Sequence, residues 1–331
     1  MAKRIWLSWE SHRRNQSLSP HVGACLFQQD LSLKGVRRYL YLIRVTINSV
    51  LRYKPSAIFA QNPSIVLSFL SILLGKYLQR PVIVDAHNIG IIFEHRNRIV
   101  RRFGQCLNQV IMRHADLIIV TNEALGRAVP GAGGRLFVLP DPIPEFTQRE
   151  RKRLQGEKAV LYICSFGGDE PYLEVIKSAS ELKDGFVIYI TGDFRRIKIT
   201  LPIPSNVVLT GYVSEQQYLD YLFSCDVVMD LTYRKNCLVC GAYEAIAAEK
   251  PLILSDTPSL SAYFGSGAIF CKNEATDIAR AIREVFSDIP NATSNVTSMK
   301  KNMSVEWDIR KKELLKIIDN LEGASKPEMS D

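Results

Sequence analysis

Glu244 is the residue whose surroundings most define a chemistry: it lies about two turns into a stretch that reads as a helix over about Leu238 to Ala248. A carboxylate there can accept both hydroxyls of a ribose diol. The N–H groups at the start of the same helix, over the small-residue segment that begins Cys237, Leu238, Val239 and runs to Ala242, face an anion or a sugar hydroxyl. Asn236 stands where an N-cap is expected. The plain alternative is a solvated helical glutamate. A second candidate is His87, which follows the strand Pro81 to Ala86. A histidine after a strand's carboxyl end is placed to reach into a ligand cleft, or else caps the next element through local bonds. Glu10, His12, Arg13 and Arg14 follow the first strand, Lys3 to Ser8, and offer a base with phosphate-binding cations; a solvated polar turn over Trp9 to Asn15 is the other reading. Gly167 and Gly168 follow the strand Ala159 to Ser165, where the missing Cβ lets backbone approach a diphosphate.

These groups need a frame. Ser224 to Asp256 reads as a buried strand (Val227 to Leu231), a polar loop, the Glu244 helix and a second strand (Pro251 to Ser255). That is a βαβ unit with a right-handed crossover, so its loop sits at the carboxyl edge of a parallel sheet, where open α/β folds bind ligands. Strands and helices alternate from residue 3 to about 140, and the prolines of LPDPIP (Leu139 to Pro144) interrupt them. The expected domains are a Rossmann-like one over 1–142 and a second over 143–303. Asp288 to Met303 reads as a polar loop, Val305 to Leu321 as a closing helix within 304–322 anchored by Trp307, and 323–331 as a disordered tail.

Composition narrows the class. The chain has 331 residues, 47% hydrophobic and 23% charged, as expected of a soluble globular protein with room for two cores. Net charge is +8 but uneven: Met1 to Glu145 carries 19 Lys and Arg against 8 Asp and Glu, and the remainder 23 against 26. The excess points to an anionic partner for the first half, a membrane surface or an acidic acceptor. The helices Leu33 to Tyr53 and Phe93 to His114 concentrate that charge. No nucleic-acid module accompanies it, so nucleic acid is not expected. The apolar run Ser64 to Leu74 is too short to span a bilayer and reads as a core helix. Seven scattered cysteines fit a reducing compartment, and the pair Cys237 and Cys240 lacks the companions of a zinc site. A cytoplasmic protein, peripheral on the inner face of the plasma membrane, is expected.

YEAIAAEKPLILSD, from Tyr243 to Asp256, resembles the donor-site motif of GT-B glycosyltransferases of the family 4 type. In that family a first Glu faces the transferred sugar and a second, eight residues on, binds the ribose; here those positions are Asn236 and Glu244. The resemblance implies two Rossmann-like doubly wound domains facing across a cleft, with a C-terminal helix crossing back to the first. It also implies a catalytic role for Asn236 and for His87, since family members carry a His at a similar strand end. Gly211-Tyr212-Val213 is similar to the family's base-recognition loop, which places Tyr212 and Val213 on the nucleobase. The family's usual Arg and Lys after the glycine turn are absent, so Arg234 and Lys235 are the cations expected on the diphosphate. The implied reaction is metal-independent, retaining transfer from a UDP- or GDP-sugar to a lipid-linked or polysaccharide acceptor, with no cofactor. Two competitors share the architecture: a nucleotide-sugar epimerase and a non-catalytic nucleotide-sugar-binding subunit.

Overall fold

The computed structural model describes residues 3–29, 35–87, 97–129, 131, 135–147, 149–182 and 185–325. Two compact units emerge: Met1–Pro142 with Glu306–Asp331, and Ile143–Val305.

Unit 1 is built on six parallel strands, β1 (Arg4–Ser8), β2 (Ala24–Gln28), β3 (Ala57–Gln61), β4 (Val82–Asp85), β5 (Leu117–Val120) and β6 (Arg135–Val138), in the order β2-β1-β3-β4-β5-β6. The four central strands are buried along their whole length, which accounts for their near-continuous apolar runs: both faces of a parallel sheet are covered. Helices α2 (Gly35–Tyr53), α3 (Ile65–Leu78), α4 (Arg98–His114) and α5 (Glu123–Arg127) share one core with Ile5, Ile58, Val84 and Ile118. On the other face α1 (Arg13–His21) packs Leu18 against Trp6, Phe59 and Ile83, with the Trp6 and Phe59 rings stacked at 5.1 Å. The turn expected over Trp9 to Asn15 is therefore cut short. His12 Nδ1 accepts the Arg14 N–H at 3.2 Å and so starts a helix at Arg13.

Unit 2 repeats the plan with β7 (Lys158–Tyr162), β8 (Phe186–Thr191), β9 (Val207–Gly211), β10 (Val227–Asp230), β11 (Leu252–Ser255) and β12 (Ile269–Cys271), in the order β12-β11-β10-β7-β8-β9. Its helices are α6 (Tyr172–Ala179), α7 (Glu215–Ser224), α8 (Cys240–Ala247), α9 (Pro258–Phe264) and α10 (Ala275–Ser287). Cores lie on both faces of this sheet as well.

One correction concerns the end of the chain. Asp288 to Met303, read as a loop, is helical: α11 runs unbroken over Ile289–Ala324. The polar composition hid an apolar stripe, because Val296, Met299 and Met303 recur at helical spacing and pack on unit 2. Further along the same helix, Leu314 and Ile318 are buried in unit 1, and Trp307 Nε1 donates to the Pro140 carbonyl at 3.0 Å. Arg4 is clamped by Glu322 at 2.8 Å and by Asp319.

Each sheet reverses its strand order once, between β1 and β3 in unit 1 and between β7 and β10 in unit 2. Such switch points open a crevice at the carboxyl ends of the strands.

Candidate functional site

In unit 2 the crevice is framed by the segments after β7 and β10. The root of the second is fixed: the Thr232 N–H donates to Ser255 Oγ at 2.8 Å, and Asn273 Nδ2 donates to the Thr232 carbonyl at 2.9 Å. α8 does not start where expected. Its N-cap is Val239, without a side-chain cap bond, and not Asn236. The acceptor comes from the neighbouring strand, since the Gly241 N–H donates to Asp230 Oδ2 at 2.8 Å. Position 241 accordingly has no room for a side chain: a Cβ would sit 2.5 Å from Asp230 Oδ2 and 2.7 Å from Ile163 Cδ1. Burial pushes the Asp230 carboxyl up to about 8, against the Gly241 N–H and helped by the charges of Glu170 and Asp169.

Glu244 is only 5% exposed, and the Tyr218 hydroxyl of α7 donates to its Oε2. It is thus a buried, hydrogen-bonded carboxylate, not a solvated one. Among the other expected residues, Val239 is buried, Asn236, Cys237 and Leu238 are half-buried, and Lys235 is exposed. Arg234 pairs with Asp169, Nε to Oδ2 at 2.9 Å, which ties the β10 loop to the β7 turn. Tyr212, 79% exposed, and half-buried Val213 follow β9, two strands further along the sheet.

The β7 turn is more constrained than its glycines suggest. Phe166 holds a left-handed φ of 61°, a conformation costly for a non-glycine residue and concentrated at functional turns. The N–H groups on either side of it are taken by the chain itself. Glu170 accepts from the Ser165 N–H at 3.0 Å, from Ser165 Oγ at 3.1 Å and from the Gly167 N–H at 2.6 Å. An internal carboxylate therefore occupies donors that the sequence reading reserved for a diphosphate, while Gly168 has open space beside it.

In unit 1 the corresponding crevice gathers side chains from the ends of β1 and β4. Of the first-loop residues Glu10 and Arg13 are exposed and His12 is half-buried, while Arg14 turns fully inward. Its Nε donates to Asp85 at 3.0 and 3.1 Å, it pairs with Asp141, and it donates to the Leu139 carbonyl at 2.9 Å. Burial alone would raise the Asp85 carboxyl, but Arg14 and His87 overcome it and hold the group well below the usual carboxylate range. An ionised carboxylate only accepts, so the 2.9 Å contact between Asp85 Oδ2 and His87 Nε2 puts a ring hydrogen on Nε2, and in the neutral imidazole Nδ1 is then the acceptor. The His12 and His87 rings meet edge to face at 5.0 Å. Burial first and His87 second hold the His12 imidazole below its ordinary value.

Sequence reasoning missed Asp85, Asp141, Glu170, Asp230 and Tyr218. One signal was available: VIVD and VVMD each end a buried apolar run in an aspartate. A charge at that position is costly unless it is paired or protonated. Among the described residues no group of three or more His, Cys, Asp or Glu side chains is arranged to hold a metal ion, and no helix is long and apolar enough to cross a membrane.

Residues 145–302 match the family model described as glycosyl transferases group 1. No curated protein sequence matches the chain. Among solved structures, Anabaena HepE in complex with UDP is similar at 13% identity with a TM-score of 0.70, covering 96% of this chain and 100% of that one. Sucrose-phosphate synthase from Thermosynechococcus elongatus is similar at 14% identity and a TM-score of 0.71, covering 97% of this chain and 100% of that one. A putative UDP-N-acetylglucosamine 2-epimerase from Listeria monocytogenes is similar at 9% identity and a TM-score of 0.58, covering 90% and 91%. The two doubly wound sheets give this chain the GT-B fold of these structures, and the match to glycosyl transferases group 1 lies on its second unit.

Proposed function

We propose that the protein transfers a sugar from a UDP-sugar, with a GDP-sugar as the alternative donor, to a lipid-linked or polysaccharide acceptor. The observation that carries this reading is Glu244, buried at the unit 2 switch point with Tyr218 on one oxygen, an environment suited to a ribose diol. HepE, with the same fold, was solved with UDP and with UDP-glucose, which favours uridine. In this reading the segment from Asn236 to Val239 lines the donor, Lys235 and Arg234 neutralise the diphosphate, and Tyr212 and Val213 cover the base. Since Glu170 holds the Gly167 N–H, a diphosphate that uses this turn must displace that carboxylate. His87, its Nε2 hydrogen bonded to Asp85, handles a proton or a sugar hydroxyl through Nδ1. Transfer is retaining and needs no metal, and the enzyme works at the inner face of a membrane.

Calorimetric titration with UDP- and GDP-sugars tests the donor, and incubation with a polyprenyl-diphosphate-linked sugar tests transfer. Saturable binding of a UDP-sugar and appearance of an extended lipid product are expected. The absence of any nucleotide-sugar binding would sink the reading. The fold shared with the Listeria protein keeps one rival, and an altered sugar formed from donor alone would establish epimerisation instead.

A further inference from the structure

α4 buries one side and, on the opposite one, exposes what a helix in water should hide. Gly104, Asn108, Ile111 and Met112 face the core. Ile99, Phe103, Cys106 and Val110 recur at i, i+4, i+7 and i+11, which puts them on a single outward stripe. Ile99 is 80% exposed and Phe103 70%. Arg98, Arg101, Arg102 and Arg113 flank them, all exposed.

The surface continues onto its neighbours. α3, packed beside α4, exposes Leu73 and Tyr77, and α2, packed beside α3, exposes Val36 and Leu40. Across α2, α3 and α4 there are nine Arg and Lys and no Asp or Glu. An outward apolar stripe with arginine edges and no acid is the pattern of a helix lying in the plane of an anionic membrane interface.

We propose that this three-helix face of unit 1 docks on an anionic lipid bilayer, with Ile99 and Phe103 seated at headgroup depth and the arginines of α4 and α2 on lipid phosphates. Charge complementarity selects that occupant. Two copies of the face would oppose cations to cations with no acid to relieve them, so a symmetric pairing through it is disfavoured. The inference goes beyond the sugar-donor reading and depends on unit 1 alone.

The test is co-sedimentation of the full chain with phosphatidylcholine vesicles, with and without phosphatidylglycerol. Because Ile99 and Phe103 are exposed, the double variant Ile99→Ser, Phe103→Ser should fold, and tryptophan emission together with UDP-sugar titration checks that it does. Wild-type protein should bind only the anionic vesicles. The serine pair should weaken binding at least about tenfold, and each of Arg98→Gln and Arg102→Gln about fivefold. Wild-type protein that stays in the supernatant, or serine variants that bind as well as wild type, would overturn the proposal. So would a dimer in solution that the serine pair splits. UDP-sugar binding that fails while vesicle binding persists would remove the donor reading and leave this one standing.

Discussion

Replacing Arg14 by methionine removes the arginine that, among the described residues, pairs with Asp85, a carboxylate with none of its surface exposed. Methionine fills similar space, so the change isolates charge and hydrogen bonding from packing. Breaking a buried pair by deleting one partner costs about 3–5 kcal/mol, because an uncompensated charge stays inside. That cost can be read for unit 1 alone: Trp6, Trp9 and Trp307 are the chain's three tryptophans, and all lie in that unit. Urea unfolding followed by tryptophan emission is therefore the assay. The pH dependence sharpens it. In wild-type protein the folded Asp85 pKa is depressed, so its stabilisation is present above the unfolded value of about 3.9 and lost only as pH falls below it. Without Arg14, burial dominates and the carboxyl pKa rises, so the penalty is largest near neutral pH and shrinks as the group takes up a proton. The wild-type minus variant difference should thus narrow as pH falls from neutral towards the unfolded carboxyl value of about 3.9. Arg14 is one of the charges that lower the His12 pKa, so both proteins are compared in a His12→Asn background, which removes that titration. A difference below about 1 kcal/mol, or one that does not change over this range, would refute the account of Arg14 as the cation that keeps Asp85 ionised.

Three further outcomes are expected. His12 has a lowered folded pKa, so its contribution to unit 1 is present above its unfolded value of about 6.5 and lost as pH falls below it. His12→Asn keeps a capping side chain and should remove that acid-side loss in the tryptophan assay, which also reads any influence of Asp85, Asp141, Arg14 and His87 beside it. Asp230, raised to about 8, should make unit 2 lose stability as pH climbs from about 4 towards that value and then level off. Asp230→Asn should flatten the trend, with hydrogen exchange of the β10 and α8 amides as the measure; an unchanged slope would show that another group titrates. Glu244→Ala should weaken UDP-sugar binding by about tenfold or more, as expected for losing a hydrogen bond to a charged group, and leave the tryptophan emission of unit 1 unaltered. Donor affinity equal to wild type would remove Glu244 from the site.

Much of the frame was legible. Apolar runs bounded by Gly, Pro and Asp marked the buried strands, and the run Ser64 to Leu74, read as a core helix, falls on α3, Ile65–Leu78, with Ser64 as its N-cap. The errors have local causes. α1 was obscured because its N-cap is a histidine, a residue that caps only when its ring nitrogen is aimed at the following N–H. Asn236 has the right side chain for a cap and does not cap α8, because Asp230 already satisfies that helix start from the adjacent strand. The polar residues of Asp288 to Met303 disguised a helix whose every third or fourth side chain has a core to enter.

From residue types and spacing alone came the parallel α/β plan, the basic first half and the carboxylate of Glu244 at a strand-helix junction. These follow from local rules: periodicity, turn chemistry and charge are written within a few residues of one another. Which groups meet was settled only in three dimensions. Arg14 reaches Asp85 across 71 positions, and Tyr218 reaches Glu244 across 26. Glu170 is close in sequence to the turn it fills, yet only the left-handed Phe166 aims those N–H groups at its carboxylate. Partners of this kind are chosen by strand order and by the high cost of burying a charge alone, and neither is encoded at any one site in the chain.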